Sequence, residues 1–211
     1  MEINPESLIN LYKNGIFPMG DHKDSNQIFW CNPILRAVIP ISKLHISRSL
    51  KKLCSKKKFE FSINYDFPTT ISNCANRKET WINKSIISVY NSLHDLGYAH
   101  SIEIWEDNNL KGGLYGVAIG KVFFAESMFS NSSNGSKLAL IALMGILALN
   151  KFSLLDVQFM TNHLRTMGAK EISRALFLHL LKKSTSQKGQ FDNLCGNVID
   201  KKLIKKAEKN H

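Results

Sequence analysis

The sequence predicts an α+β fold: a mixed, largely antiparallel sheet with flanking helices, plus a small N-terminal domain. Three observations predict it. From residue 61 the pattern runs helix, three strands, helix, strand, helix. The three strands "AHSIEIW", "LKGGLYGVAIG" and "KVFFAESMFS" are separated only by the turn "EDNN" and by Gly120, so they form an antiparallel meander. The later strand "FSLLDVQFM" is expected to insert beside the third, which makes the sheet mixed.

Each element has a local reason. "NPESLINLYKNG" is a short helix: Asn4 caps it, Pro5 suits the first turn, Gly15 ends it, and Leu8, Leu11 and Tyr12 share a face. "IFPMG" is expected to turn the chain, and "RAVIPI" to be a short strand. "FSINYDF" reads as a strand leading to a helix that includes "TTISNCA". In "SIISVYNSLHDLG", residues Ile86, Val89, Tyr90, Leu93 and Leu96 form one apolar face, and Gly97 is the stop. The polar "NSSNG" precedes a largely apolar helix from Ser136 to about Leu149. "SRALFLHLLKK" is the last regular helix. The expected division is 1–60 as a small N-terminal domain, 61–187 as the main domain, and 188–211 as a Lys-rich tail with some helix at its end.

Composition narrows the class. The chain has 211 residues, 44% of them hydrophobic, which is enough for a core. Net charge is +11. That charge suits a polyanionic partner, nucleic acid first and an anionic membrane surface second, but a Lys-rich composition alone produces much of it. Between Lys43 and Lys58 stand seven Lys or Arg and no acid. Within this block His45, Ser47 and Ser49 add groups that bond phosphate oxygens.

Several chemistries are excluded. Cysteines 31, 54, 74 and 195 form no C-x-x-C pair, and the seven His residues lack metal-ligand spacing, so no metal is expected. "GVAIGKV" lacks the spacing and the hydroxyl residue of a phosphate loop, and no G-x-S-x-G elbow exists. Glu2, Glu6 and Lys13 interrupt any signal-like run, and no apolar run approaches the ~20 residues of a membrane span. A cytoplasmic protein with reduced thiols is expected.

What remains is polar residues inside apolar strands. Alternation puts Val122, Phe124, Glu126 and Met128 on one face of "KVFFAESMFS" and Phe123, Ala125 and Ser127 on the other. In "LLDVQFM", Asp156 and Gln158 share a face that Leu154 and Met160 continue. A single such residue is most simply a satisfied core polar group. Three of them on neighbouring strands point to a site.

Beside these residues the chain carries "GIFPM", "RAVIP", "HISRSL", "CANRKETWI", "LHDLGYAHSIEIW", "GGLYGVA", "ESMFS", "NGSK" and "DVQ", then "MGA". In this order, over roughly residues 10 to 180, they resemble the leucyl/phenylalanyl-tRNA–protein transferase family. The resemblance implies a main domain like that of the acetyltransferase superfamily. It implies transfer of Leu or Phe, less often Met, from aminoacyl-tRNA to proteins that begin with Arg or Lys, marking them for degradation, without a metal or organic cofactor. It implies Asp156 and Gln158 as the catalytic pair and Glu126 as the acid that holds the acceptor's N-terminus. It also implies an aminoacyl pocket of Met19, Trp81, Leu114, Phe123, Met128, Leu140, Leu143 and Leu155. The resemblance further implies that Gln158 receives the amine proton, assisted by Asp156. A carboxamide is an extremely weak base, so the alternative is that Gln158 orients the amine through its oxygen while Asp156 fixes the amide or helps accept charge.

Strict alternation places Phe123 and Met128 on opposite faces, so a shared pocket requires a bulge between them. Arg48, Lys51, Lys52, Lys56, Lys57 and Lys58 become the candidates for the tRNA acceptor-stem backbone. Departures from the family pattern are Val157 for Cys, Ala125 for Gly, and Gly135 for Ala, the last expected to loosen a helix start. Thr161 stands where some relatives have Asn and is left outside the site. The N-terminus lacks the usual longer lead-in, and a monomer is expected. Two other classes remain open: a coenzyme A-dependent N-acyltransferase and a non-catalytic RNA-binding module.

Overall fold

The computed structural model of the chain describes residues 3–41, 43–191, 197–199 and 201–208. Helix α1 (Pro5–Lys13) begins where Asn4 accepts a hydrogen bond from Ser7 N and ends before Gly15, at φ +77°. Strands β1 (Phe17–Gly20) and β2 (Ile28–Cys31) then form a two-stranded antiparallel sheet. "IFPMG" is therefore a strand and not a turn. Pro18 is tolerated because a two-stranded ribbon has open edges.

The main sheet has eight strands. Five come from β3 (Leu35–Ile39), β4 (Glu60–Ile63), β5 (Ala99–Glu106), β6 (Asn109–Ile119) and β7 (Val122–Ser130). The others are β8 (Leu154–Gln158), β9 (Lys170–Ser173) and β10 (Asn197–Val198), in the order β10-β4-β5-β6-β7-β8-β3-β9. The meander is present. Its first turn has Asp107 and Asn108 both at positive φ, the geometry of a tight two-residue hairpin. β8 joins β7 in parallel, as the element order predicts, and makes the sheet mixed. β3, from the first 60 residues, pairs antiparallel with both β8 and β9.

Helices cover both faces. On one lie α2 (Arg48–Lys56), α5 (Gly135–Leu149), the short α6 (Asn162–Thr166) and the C-terminal α8 (Lys201–Ala207). α5 is apolar all round and its residues Leu138–Leu147 are buried, as such a helix must be. On the other face lie α1, α3 (Phe67–Ala75), α4 (Lys84–Asp95) and α7 (Arg174–Thr185). α4 buries Ile86, Val89, Tyr90 and Leu93, but Leu96 is its C-cap and stands exposed. Cys31, Cys54 and Cys74 are free thiols; Cys195 lies outside the described residues. Among the described residues no helix is long and apolar enough to cross a membrane, and no group of three or more His, Cys, Asp or Glu could hold a metal ion.

The divergence of β7 and β8 makes the site. Their parallel pairing runs only from Val122–Leu154 to Phe124–Asp156 and then stops. Just beyond, each strand carries one extra residue against its other neighbour. On β7, Ala125 and Ser127 face the consecutive Gly116 and Tyr115, which leaves Glu126 as the bulged residue. On β8, Asp156 and Gln158 face the consecutive Val38 and Ala37, which leaves Val157 over. Two adjacent bulges bend the strands apart and open a cleft at their C-terminal ends.

Candidate active site

The bulge at Glu126 resets the alternation. Phe123, Ala125 and Met128 pack on the α5 side, whereas Phe124 packs on the α4 side. Phe123 and Met128 thus share a face, which strict alternation forbids. Glu126 faces the α4 side, where the Tyr12 hydroxyl donates to its Oε1 at 2.7 Å and Gln158 Nε2 donates to the same oxygen at 2.9 Å. Its Oε2 is buried and has no hydrogen-bond partner among the described residues. Burial pushes the Glu126 carboxyl up to about 7, against the opposing pull of the Tyr12 and Tyr90 hydroxyls. Tyr12 is hydrogen-bonded to Tyr90, and Tyr115 lies close by. Burial, with the Glu126 charge adding to it, keeps all three phenols well above their ordinary range and therefore neutral.

Asp156 and Gln158 do share a face, but they are not equally placed. Asp156 is fully buried and bound at both oxygens by Arg36, Nε to Oδ1 at 2.9 Å and Nη2 to Oδ2 at 2.6 Å. Arg36 is itself buried between the rings of Phe17 and Phe177, at 4.4 and 4.6 Å, and donates to Gly15 O. Asp156 Oδ1 also accepts from the Gln158 backbone N–H at 3.0 Å. That bond helps hold Gln158 in the left-handed region, φ +56°, where a non-glycine residue is strained by about 1–3 kcal/mol. The chain turns there, so Met160 leaves the Asp156 face and packs on the opposite core.

The cleft encloses about 300 Å³. Met19, Trp81, Leu114 and Met128, four of the expected pocket residues, line it together with Phe17, Ala125, Val157, Phe159 and Leu164. The other four, Phe123, Leu140, Leu143 and Leu155, are completely buried in the core on the α5 side. Glu126 and Gln158 line the cleft and Asp156 does not. Sequence reasoning missed Arg36, Tyr12, Arg77 and His163. Arg77 reaches across to bond the Met128 carbonyl, and His163 lines the wall beside Thr161. Arg36 was detectable as a lone cation in the apolar "RAVIPI".

The basic segment lies elsewhere. Arg48, Lys51, Lys52 and Lys56 are on α2, with Lys57 and Lys58 directly after it, and all six are exposed. Lys51 pairs with Glu208, Lys57 with Glu106 and Lys58 with Glu60.

Comparison with known proteins gives a consistent result. The family profile described as leucyl/phenylalanyl-tRNA protein transferase matches residues 38–182, and that of the corresponding N-terminal domain matches residues 1–33. Among similar curated proteins, one from Roseobacter denitrificans is 44% identical over 193 residues, covering 92% of each chain. One from Dinoroseobacter shibae is 45% identical, covering 88% of this chain and 83% of its own. One from Zymomonas mobilis is 47% identical, covering 87% and 70%. All three are named leucyl/phenylalanyl-tRNA–protein transferase.

Proposed function

This chain belongs to the leucyl/phenylalanyl-tRNA–protein transferase family, a family of aminoacyltransferases, and on that premise we propose the course of its reaction. An aminoacyl group, Leu or Phe and less often Met, passes from aminoacyl-tRNA to the α-amine of a protein that begins with Arg or Lys. The product is marked for degradation. In this reading the enzyme acts in the cytoplasm as a monomer, and it needs no cofactor because the donor ester is already activated.

One observation carries this reading: an apolar cleft with a buried carboxyl and a carboxamide at its floor. The donor's apolar side chain enters between Met19, Trp81, Leu114 and Met128. Methionines adapt to both a branched aliphatic and an aromatic side chain. Phe123, Leu140, Leu143 and Leu155 support that wall from behind. The acceptor's amine approaches Glu126, whose carboxylate attracts an ammonium group. With Gln158 Nε2 tied to Glu126, its carbonyl oxygen is left to orient the amine. Asp156 acts through its neighbours, with Arg36 fixing it and Gln158 N–H bound to it. The amine attacks the ester carbonyl and the ribose oxygen leaves. Holding both groups in one cleft supplies much of the acceleration.

The test is transfer from radiolabelled leucyl-tRNA to a peptide beginning with Arg, beside the same peptide N-acetylated. Label in the free-amine peptide alone is expected. RNA binding without transfer would favour a non-catalytic module, and transfer only from an acyl-coenzyme A would favour the other acyltransferase class.

A further inference from the structure

We propose that Glu126, and not Gln158, takes the proton from the attacking amine. The inference deepens the transfer reading above and rests on it. Asp156, Gln158 and Glu126 form one bonded group at the cleft floor, and two of these three cannot be the base. Asp156 has no free oxygen: Oδ1 accepts from Arg36 and from the Gln158 backbone, and Oδ2 from Arg36. It is also completely buried beneath the cleft. Gln158 carries a carboxamide, which is not basic, and its Nε2 is committed to Glu126.

Glu126 is different. Tyr12 and Gln158 both bind Oε1, which fixes the carboxyl plane, and Oε2 remains buried without a partner among the described residues. The contrast with Glu103 is informative. That carboxyl is also buried, yet it accepts from Ser62, Thr70 and Ser101, with bonds to both oxygens. Among the described residues that line the cleft, Glu126 Oε2 and His163 Nε2 are the buried polar atoms without a partner, and Oε2 is the one fixed beside Gln158, where the amine is oriented.

Its surroundings suit the task. Facing it are Tyr12 from α1, Tyr90 from α4 and Tyr115 from β6, all neutral. Asp156 from β8 and Arg36 from β3 act on it with opposite sign and are paired with each other. Arg77 and His163 share the cleft lining. The carboxyl titrates at about 7. A terminal α-ammonium titrates at about 7.7–8.0, so near neutral pH the carboxylate is ionised while part of the amine is free to attack, and the N–H made acidic by bond formation has an acceptor beside it.

The step balances without a co-reactant. The neutral amine's nitrogen forms a bond to the ester carbonyl carbon, and its proton passes to Glu126 Oε2. As the carbon–oxygen bond to the ribose breaks, the same proton passes to the ribose oxygen. The products are an amide and a ribose hydroxyl, with the carboxylate restored.

The experiment measures kcat and KM for an Arg-starting peptide with saturating leucyl-tRNA, from about pH 5.5 to 9, for the wild type and Glu126→Gln. Glutamine keeps an acceptor for Tyr12 and Gln158 and removes the base. At saturating peptide, kcat is expected to fall about 10²–10⁴-fold. The limb near pH 7 in the wild-type kcat/KM profile should vanish in the variant, leaving only the peptide amine's own limb. Unchanged affinity of the variant for leucyl-tRNA shows that it folds. A variant with wild-type kcat and a raised KM would overturn the inference, because Glu126 would then only hold the acceptor. So would a wild-type profile with no limb near pH 7, which needs no variant. A wild type that transfers nothing would instead defeat the transfer reading itself.

Discussion

Arg36 and Asp156 join two strands across 120 residues of sequence as a bidentate ion pair whose members are 1% and 0% exposed. Burial raises the Asp156 carboxyl and the guanidinium works against it. Removing either partner strands the other without solvent, which typically costs about 3–5 kcal/mol. Arg36→Met alone is therefore expected to lower the unfolding free energy by about that amount. The double variant Arg36→Met with Asp156→Leu should recover most of the stability. It should not recover activity, because Gln158 N–H loses its acceptor. Urea unfolding beside the transfer assay checks both; a double variant as unstable as the single one would refute the argument.

Glu126 and His100 set opposite pH dependences. The Glu126 carboxyl rises from its ordinary 4.5 to about 7. Its contribution to stability is complete below pH 4.5 and is lost as pH rises through about 7. His100, buried against Phe191, is lowered from 6.5 to about 4 by burial and by His94. Its contribution is present above pH 6.5 and is lost as pH falls through about 4. Each spans roughly 3 kcal/mol at 1.36 kcal/mol per unit, so in the wild type the two nearly cancel. Single variants should unmask them. Glu126→Gln should be more stable than the wild type at pH 8, by about 1–3 kcal/mol, and lose stability on acidification. His100→Gln should gain stability from pH 7 towards 4.5. Chemical denaturation at several pH values measures both slopes, and two variants with parallel slopes would contradict the assignment.

Much of this site was legible because strand periodicity is strict. Glu126, Asp156 and Gln158 broke an apolar pattern, and placing Phe123 and Met128 on one face required the bulge found at Glu126, although Met128 lines the cleft and Phe123 lies in the core on that side. Other features depend on contacts distant in sequence. Nothing near Arg36 announces Asp156. Tyr12 looked like an ordinary apolar-face residue of α1, yet it reaches a strand 114 residues away. The edge strand "KEIS" carries no apolar alternation, because β9 pairs on one side only and is largely exposed. Gly135 was expected to loosen a helix start. Here a Cβ on it would lie 2.1 Å from Lys111 O, so the glycine lets α5 and β6 touch.

Gly116 protects the bulge. A Cβ there would lie 2.2 Å from the Phe124 carbonyl and 2.4 Å from the Phe123 ring. The carbonyl is backbone of β7, two residues before the bulged Glu126, and cannot swing aside. Gly116→Ala is expected to destabilise the protein by about 1–3 kcal/mol, as overpacking of a rigid site does. It should also depress transfer more than that loss explains, because Glu126 and Gln158 are displaced together. Thermal unfolding and activity measured well below the midpoint separate the two effects. Full activity with unchanged stability would show that β7 yields freely.

The six exposed cations of the basic segment should not contribute equally to tRNA binding. Lys51, Lys57 and Lys58 each sit within 3.1 Å of a carboxylate, which partly cancels their field. Arg48, Lys52 and Lys56 have no carboxylate partner among the described residues. The segment also leads towards the cleft. His45 N donates to Met167 O, which docks the start of the basic segment on the turn after α6, and α6 carries His163 into the cleft wall. Each phosphate contact contributes about 0.7–0.9 to the slope of log affinity against log salt. Lys52→Ala with Lys56→Ala is therefore expected to lower the slope for leucyl-tRNA by about 1.4–1.8 and to weaken binding most at low salt. Lys57→Ala with Lys58→Ala should change the slope far less. Filter binding at a series of salt concentrations reads both, and equal slope changes in the two pairs would place the RNA on a different path across this face.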